Sequence, residues 1–216
     1  MLTIRPALKA LLILILLWMA MHRIKAQQMP VELMPGNDRI YYQHNIAIPL
    51  EPGSKYGFFH TASFHSDHAD KRSNEVMGQA YLTYAAKPSL RIALGGFHAT
   101  APGTSGSFAI HWSHKWDRVL LLLAPRIDLR RTPSLELMGM IEYAPRSFQL
   151  NGPYARFQFM VNGRPERHNR SYRYLRIGWA FGATRLGVAL NMDSYGPCRH
   201  TLANWGVFFR RHLGST

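Results

Sequence analysis

The chain after residue 27 alternates between apolar and polar positions in blocks of about ten residues. The clearest block is 105–115, in which Phe108 and Ile110 alternate with Ser107 and His111. Ten further blocks follow the same pattern: 40–49, 56–66, 75–86, 89–98, 118–128, 134–143, 154–162, 172–182, 184–193 and 203–213. A period of two residues is typical of β-strands, and helical periodicity is absent from this region. The pattern therefore predicts an all-β chain.

Turn-forming residues separate the blocks, as in an antiparallel up-and-down arrangement. Pro-Gly and Asn-Gly sequences occur at 52–53, 102–103 and 162–163. Counting back from the C-terminus gives ten strands, of which the first begins at Tyr56. The block 40–49 adds an eleventh, so that an even number requires one more strand at 29–35. We expect about 12 strands, with 10 as the alternative.

The spacing of the blocks predicts short turns at one end of the strands and longer loops at the other. The predicted short turns are 86–89, 115–118 and 182–184. The predicted longer loops are 66–74, 99–104, 129–133, 163–171 and 194–202, and the connection 144–152 is an exception at the short-turn end. Short periplasmic turns and longer external loops are typical of outer-membrane barrels.

Strand length and charge indicate which face of the sheet is apolar. Blocks of about ten residues are long enough for tilted strands to cross a bilayer, and aromatic residues concentrate near their ends. Arginine and carboxylate side chains occupy mid-strand positions on the polar face. Such charges are expected to form pairs inside a narrow lumen, while the apolar face contacts lipid. The alternative is a soluble periplasmic β-barrel that binds an apolar ligand.

The alternation assigns individual residues to each face of the predicted transmembrane β-barrel. The predicted lumen-lining residues are Glu75, Arg91, Arg118, Arg126, Asp128, Glu136, Glu142, Arg156, Arg176, Arg185 and Asp193. The predicted lipid-facing residues are Leu121, Leu123, Leu135, Leu137, Phe157, Phe159, Leu186, Val188 and Leu190. Arginine outnumbers carboxylate in the first group, which predicts a lumen that is basic on balance.

The N-terminus has the layout of an export signal. Arg5 and Lys9 precede an uninterrupted apolar run at 10–21, which is too short to span a bilayer as a helix. We expect residues 1–26 to be a signal peptide cleaved after Ala26 and residues 27–216 to form the barrel domain. An uncleaved membrane anchor is the alternative.

Composition excludes several classes of protein and site. The formal net charge is +14, and removal of residues 1–26 lowers it to +10 because that segment has four basic residues and no acid. An exported chain does not meet the genome, so no nucleic-acid partner is expected. The lone cysteine, Cys198, excludes a disulfide framework and a multi-cysteine zinc site. We expect neither a metal nor a cofactor.

Taken together, the export signal and the ten-residue alternating blocks resemble bacterial outer-membrane β-barrel proteins of small, porin-like type. The resemblance implies residence in the outer membrane, with lipid and the barrel-insertion machinery as partners. Members typically end on an aromatic residue, whereas here Trp205, Val207 and Phe209 are followed by the polar segment 210–216. The resemblance is one of architecture, and no motif specifies a subfamily.

Two functions follow from these residues. A lumen with excess arginine predicts a structural or porin-like barrel that passes small anions and has no enzymatic activity. The alternative is an outer-membrane lipid hydrolase or deacylase, because outer-membrane phospholipase A and the lipid A deacylases contain a His-x-Ser pair similar to His111 and Ser113. Asp117 and Asp128 are the nearest downstream carboxylates, and neither stands at an evident position for a third catalytic member.

Overall fold

A computed structural model of the protein describes residues 29–147 and 149–214. The expected signal peptide, residues 1–26, lies outside the described residues and stays a prediction. No helix in the described part of the chain is long and apolar enough to span a membrane.

Twelve β-strands make up nearly all of the described chain. They are β1 (Met29–Pro35), β2 (Arg39–Pro49), β3 (Tyr56–Asp67), β4 (Glu75–Lys87), β5 (Leu90–Ala99), β6 (Gly103–Trp116), β7 (Val119–Leu129), β8 (Leu135–Tyr143), β9 (Gly152–Arg164), β10 (Arg167–Phe181), β11 (Thr184–Tyr195) and β12 (His200–Leu213). One turn of 3-10 helix, Lys71–Ser73, lies between β3 and β4.

The strands close into a single antiparallel barrel. Each strand pairs with its neighbours in sequence, and β1 pairs with β12 through contacts such as Glu32 with Arg210. The predicted up-and-down barrel of 12 strands is confirmed, including the weak block at 29–35, and the alternative of 10 strands is wrong. Because the number of strands is even, β1 begins and β12 ends at the same end of the barrel, which we call the terminal end.

Close backbone contacts join β12 to the turn between β1 and β2. The side-chain oxygen of Asn204 accepts hydrogen bonds from the backbone N–H groups of Asp38 and Arg39, and its amide donates to the Arg39 carbonyl. Gly36 and Gly206 form an isolated β-bridge at this junction. A Cβ atom on Gly206 would lie 2.2 Å from the Pro35 carbonyl oxygen, so only glycine permits this approach.

The predicted difference in loop length holds for most connections: the predicted short turns at 86–89, 115–118 and 182–184 are two-residue connections at the terminal end, and only the longer loop predicted at 163–171 is wrong. The connection 163–171 is in fact the two-residue turn 165–166, because Asn162 and Gly163 belong to β9 rather than to a loop. At the terminal end, 144–151 is longer than any connection at the opposite end. Strands β9 and β10 therefore continue into the region where Asn162 and Gly163 predicted a loop.

Large side chains fill one half of the barrel interior. Tyr41, Tyr154, Tyr174 and Phe208 are fully buried there and form one cluster with smaller residues from β1, β2 and β9–β12. On the other side, a smaller group around Tyr81 packs against Phe59. The interior is thus divided into a packed half and a more open half.

Candidate functional site: the barrel interior

Every second residue of each strand points into the barrel. In β9, Tyr154, Arg156 and Gln158 are buried in the interior, whereas Phe157 and Val161 are 40% and 49% exposed on the outer surface. The polar face of the sheet is therefore the inner one, and the apolar face is the outer one. This is the reverse of the arrangement in a soluble barrel.

Glu32 of β1 lies at the centre of the packed half. One carboxylate oxygen accepts a hydrogen bond of 2.9 Å from Arg176, and the other accepts one of 2.5 Å from Arg156. Arg210 lies 3.5 Å from Glu32 and bridges to Glu142 at 3.5 Å. Glu32 and Arg156 are separated by three intervening strands, so their ion pair crosses the interior rather than following the wall.

A second ionic cluster crosses the barrel towards the opposite end. Arg170 of β10 contacts Glu75 of β4 at 3.1 Å and Asp193 of β11 at 2.8 Å. Arg39 contacts Asp67 at 3.2 Å and Glu75 at 3.9 Å. The pair of Arg170 and Glu75 joins two strands on opposite sides of the barrel and narrows the interior at this level.

A third cluster lies on the wall formed by β7 and β8. Arg126 donates a hydrogen bond of 2.7 Å to Glu136, and its guanidinium lies 3.7 Å from the centre of the Phe97 ring. Asp128 lies 3.6 Å from Arg126 and accepts a hydrogen bond of 2.6 Å from Ser134. The carboxylates flank the arginine, so this side of the interior has little net positive charge.

The three clusters are charge pairs of the kind expected inside a narrow lumen. Among the described residues, six interior arginines form ion pairs with seven carboxylates. The sequence assignment omitted two of these acids, Glu32 and Asp67, and three of these arginines, Arg39, Arg170 and Arg210. Glu32 lies in the weakest predicted strand, and all its partners are more than a hundred residues away.

The mouths of the barrel differ from its middle in charge. Arg91 and Lys115 are exposed at the terminal end, on strand positions that point inward. Arg164 and Arg167 are exposed at the opposite end and face each other directly across β9 and β10. None of these four has an ion pair with a carboxylate in the described structure. Positive charge without a paired carboxylate therefore lies at both mouths.

A cavity of about 70 Å³ occupies the more open half of the barrel. Gln43, Asn45, Thr61 and Gln79 line one side, and Arg126, Glu136 and Gln158 line the other. The polar groups are mostly uncharged amides and hydroxyls.

The remaining predicted lumenal residues lie where the alternation places them, with the exception of Arg118. Glu142, Arg156, Arg176, Arg185 and Asp193 are buried in the interior. Arg118 is not in a strand: it lies in the exposed turn 117–118, where it donates a hydrogen bond to Tyr143. The predicted strand 118–128 begins one residue before β7, which starts at Val119. The turn Asp117-Arg118 contains no glycine or proline that would have marked it in the sequence.

The nine predicted lipid-facing residues all lie on the outer surface. Leu123, Leu135, Leu137, Phe157, Leu186 and Val188 are exposed, and Leu121, Phe159 and Leu190 are partly covered by neighbours. Phe159 covers Gly139 of the adjacent strand, whose missing side chain leaves room for the ring. The outer surface around β7–β12 is thus a continuous apolar band.

The outer surface also contains a polar group that sequence reasoning missed. His44 and His60 point outward from β2 and β3, and their ring nitrogens are 3.0 Å apart. The other ring nitrogen of His44 is 3.1 Å from the Tyr42 hydroxyl. His44 lies on the same face of β2 as Ile46 and Ile48, so the alternation in the sequence could have predicted its outward position. Mutual hydrogen bonding reduces the free-energy cost of these groups on an apolar surface.

His111 and Ser113 lie on the same inward face of β6 but are not hydrogen-bonded to each other in the described structure. His111 packs edge-on against Phe59 with ring centres 4.8 Å apart. Neither nearby carboxylate is available. Asp128 is bonded to Ser134, and Asp117 is paired with Arg146, whose hydrogen bond lowers the pKa of that exposed carboxyl.

The described residues contain no cluster of three side chains suited to holding a metal ion. His65 and His68 have different surroundings. His65 is buried beside Tyr41 and Tyr174, whereas the exposed His68 is hydrogen-bonded to the Gly36 carbonyl.

Comparison with known proteins identifies relatives by fold alone. No family profile matches the sequence, and no curated protein matches it. Among solved structures, the chain is similar to the KdgM porin, with a TM-score of 0.52, 10% identity, and coverage of 86% of this chain and 98% of that one. The same values hold for the KdgM porin in complex with disordered oligogalacturonate. LpxR from Salmonella typhimurium matches with a TM-score of 0.44 and 9% identity, covering 86% of this chain and 99% of that chain. The chain therefore has the fold of a small porin-like β-barrel.

Proposed function

We propose that this protein is a porin-like barrel of the bacterial outer membrane that passes small anions. The apolar outer band supports a position in lipid, and an expected export signal supports delivery to the outer membrane. Outer-membrane lipid and the barrel-insertion machinery are its expected partners. The soluble alternative with an apolar ligand fits poorly, because ion pairs fill the interior and apolar side chains cover the outside.

One observation supports the preference for anions: unpaired cationic side chains stand at the mouths, and the interior charges are compensated. Arg91 and Lys115 at one mouth, and Arg164 and Arg167 at the other, raise the local concentration of anions. Solutes that enter then meet the mostly uncharged lining of the cavity. The enzymatic alternative has no comparable support, since His111 and Ser113 are not joined.

Ion selectivity in a planar bilayer tests this proposal. In a salt gradient, the reversal potential should show preference for chloride over potassium, and a double change of Arg91→Glu and Lys115→Glu should shift it towards cations. The matched control, Arg91→Lys with Lys115→Arg, retains both charges and should leave the potential unchanged. Because the KdgM porin was solved with oligogalacturonate, galacturonate is a suitable second anion. Absence of any channel, or cation preference in the unmodified protein, would contradict the proposal.

A further inference from the structure

The cavity in the open half contains buried polar atoms that no protein group satisfies. Gln43 is 8% exposed, and its side-chain oxygen has no hydrogen-bond partner. Across the cavity, the Nε and Nη1 atoms of Arg126 are buried and also lack a hydrogen-bond acceptor. An unpaired buried acceptor or donor is unfavourable by about 1–3 kcal/mol. The cavity thus presents the Gln43 oxygen as an acceptor and Nη1 of Arg126 as a donor, while Nε of Arg126 faces Asp128 at 3.6 Å.

The charge state of the lining restricts what the cavity can bind. The positive charge of Arg126 is compensated by Glu136 at 2.7 Å and Asp128 at 3.6 Å. Gln43, Asn45 and Gln79 contribute uncharged amides. A simple anion would find no uncompensated charge here, and it has no proton to donate to the oxygen of Gln43. Recognition in the cavity therefore depends on hydrogen bonding.

Apolar surface lies beside these polar groups. The ring of Phe59 lines the cavity together with Ala109 and Leu122. A molecule that fits must combine groups that both donate and accept hydrogen bonds with a C–H surface that packs against a ring. Hydroxyl groups on a short carbon chain or ring have this combination. A volume of about 70 Å³ corresponds to about five water molecules, which limits the occupant to a small molecule.

We propose that this cavity is a binding subsite for a small, uncharged polyhydroxyl solute, such as a polyol or monosaccharide. The proposal rests on the porin-like function above and adds a second class of solute to it. The charged mouths attract anions, and the cavity binds uncharged solutes through the hydroxyl groups of the solute. The side-chain oxygen of Gln43 accepts a hydrogen bond from one hydroxyl group, Arg126 donates a hydrogen bond to a hydroxyl oxygen, and Phe59 packs against the carbon face.

Titration calorimetry on the protein purified in detergent tests the subsite directly. Xylitol and galactose should each give a saturable heat, and sodium acetate at equal concentration should give none. Gln43→Leu removes the acceptor at nearly constant volume and should weaken xylitol binding about tenfold. The matched control is Gln149→Leu, which changes an exposed glutamine in the 144–151 connection and should leave binding unchanged.

Failure of the subsite and failure of the channel are separable. Binding of acetate as strong as that of xylitol, no saturable heat from either polyhydroxyl probe, or equal affinity in Gln43→Leu would each overturn the proposal. A cavity that only holds water would give the second of these results. If bilayers show no current while xylitol still binds, the porin-like function fails and the subsite stands. Heat-modifiability on a gel confirms that each variant is folded.

Discussion

At the residue scale, Glu32 is the group on which the packed half of the barrel depends. Its carboxylate contacts Arg156, Arg176 and Arg210 in a region from which water is excluded. Loss of one member of a buried ion pair leaves uncompensated charge and costs about 3–5 kcal/mol. Glu32→Gln keeps the shape of the side chain but removes its charge. We therefore expect it to lower the free energy of unfolding by roughly that amount.

Urea titration followed by tryptophan fluorescence measures this change. The control is Glu51→Gln in the exposed 50–55 connection, which should leave the midpoint within experimental error. An unchanged midpoint in Glu32→Gln would mean that the three arginines do not need this carboxylate.

Sequence alone placed single residues on the correct face but could not pair them. The period of two put Arg156 and Arg176 inside, and the structure agrees. Their shared partner Glu32 lies 124 and 144 residues earlier in the chain. No local pattern records which strands face each other across a lumen, because that depends on the number of strands and on barrel closure. The cavity with its unpaired Gln43 oxygen was unpredictable for the same reason.

At the element scale, the contact between β12 and the β1–β2 turn sets the closure of the sheet. A Cβ atom on Gly206 would meet the Pro35 carbonyl oxygen at 2.2 Å, whereas one on Gly78 of β4 would meet nothing closer than 3.9 Å. Gly206→Ala should therefore destabilise the barrel by about 1–3 kcal/mol, as forced overpacking does. Gly78→Ala is the matched control and should be neutral or slightly stabilising.

The difference between the two variants is measured by incubating each in increasing urea and determining, on an unheated gel, the fraction that migrates as the folded barrel. Equal stability of the two variants would show that the junction adapts to a side chain at Gly206.

Strand identity was more predictable than strand limits. Eleven of the twelve strands coincide with alternating blocks, because alternation follows directly from having one apolar and one polar face, and β1 was expected only because a barrel of even strand number required it. The limits were less accurate where turn residues lie inside a strand, as Asn162 and Gly163 do in β9. The turn Asp117-Arg118 gave the opposite error, because Arg118 was assigned to a strand although it lies in the turn. Turn propensity is a local quantity, and pairing across neighbouring strands overrides it.

At the scale of the whole molecule, the ion pair between Arg170 and Glu75 limits the opening. It joins β10 to β4 across the interior at 3.1 Å. Replacing both residues by serine removes this contact, leaves Arg39 paired with Asp67 and leaves Asp193 with its hydrogen bond from Tyr174. The single-channel conductance should then rise by roughly twofold, because the narrowest part of a pore dominates its resistance. Bilayer recordings provide the measurement.

The control for this change is Arg167→Ser at the mouth, which removes a cation without widening the interior. It should reduce anion preference and leave conductance nearly the same. An identical conductance in the double serine variant would place the constriction elsewhere.

The even number of strands has a practical consequence for labelling. Met29 and Leu213 are directly paired, so the two ends of the barrel wall emerge side by side. Reporter proteins fused at either end of the mature chain would occupy the same compartment. A tag inserted between Pro165 and Glu166, in the two-residue turn of the other rim, would occupy the opposite one.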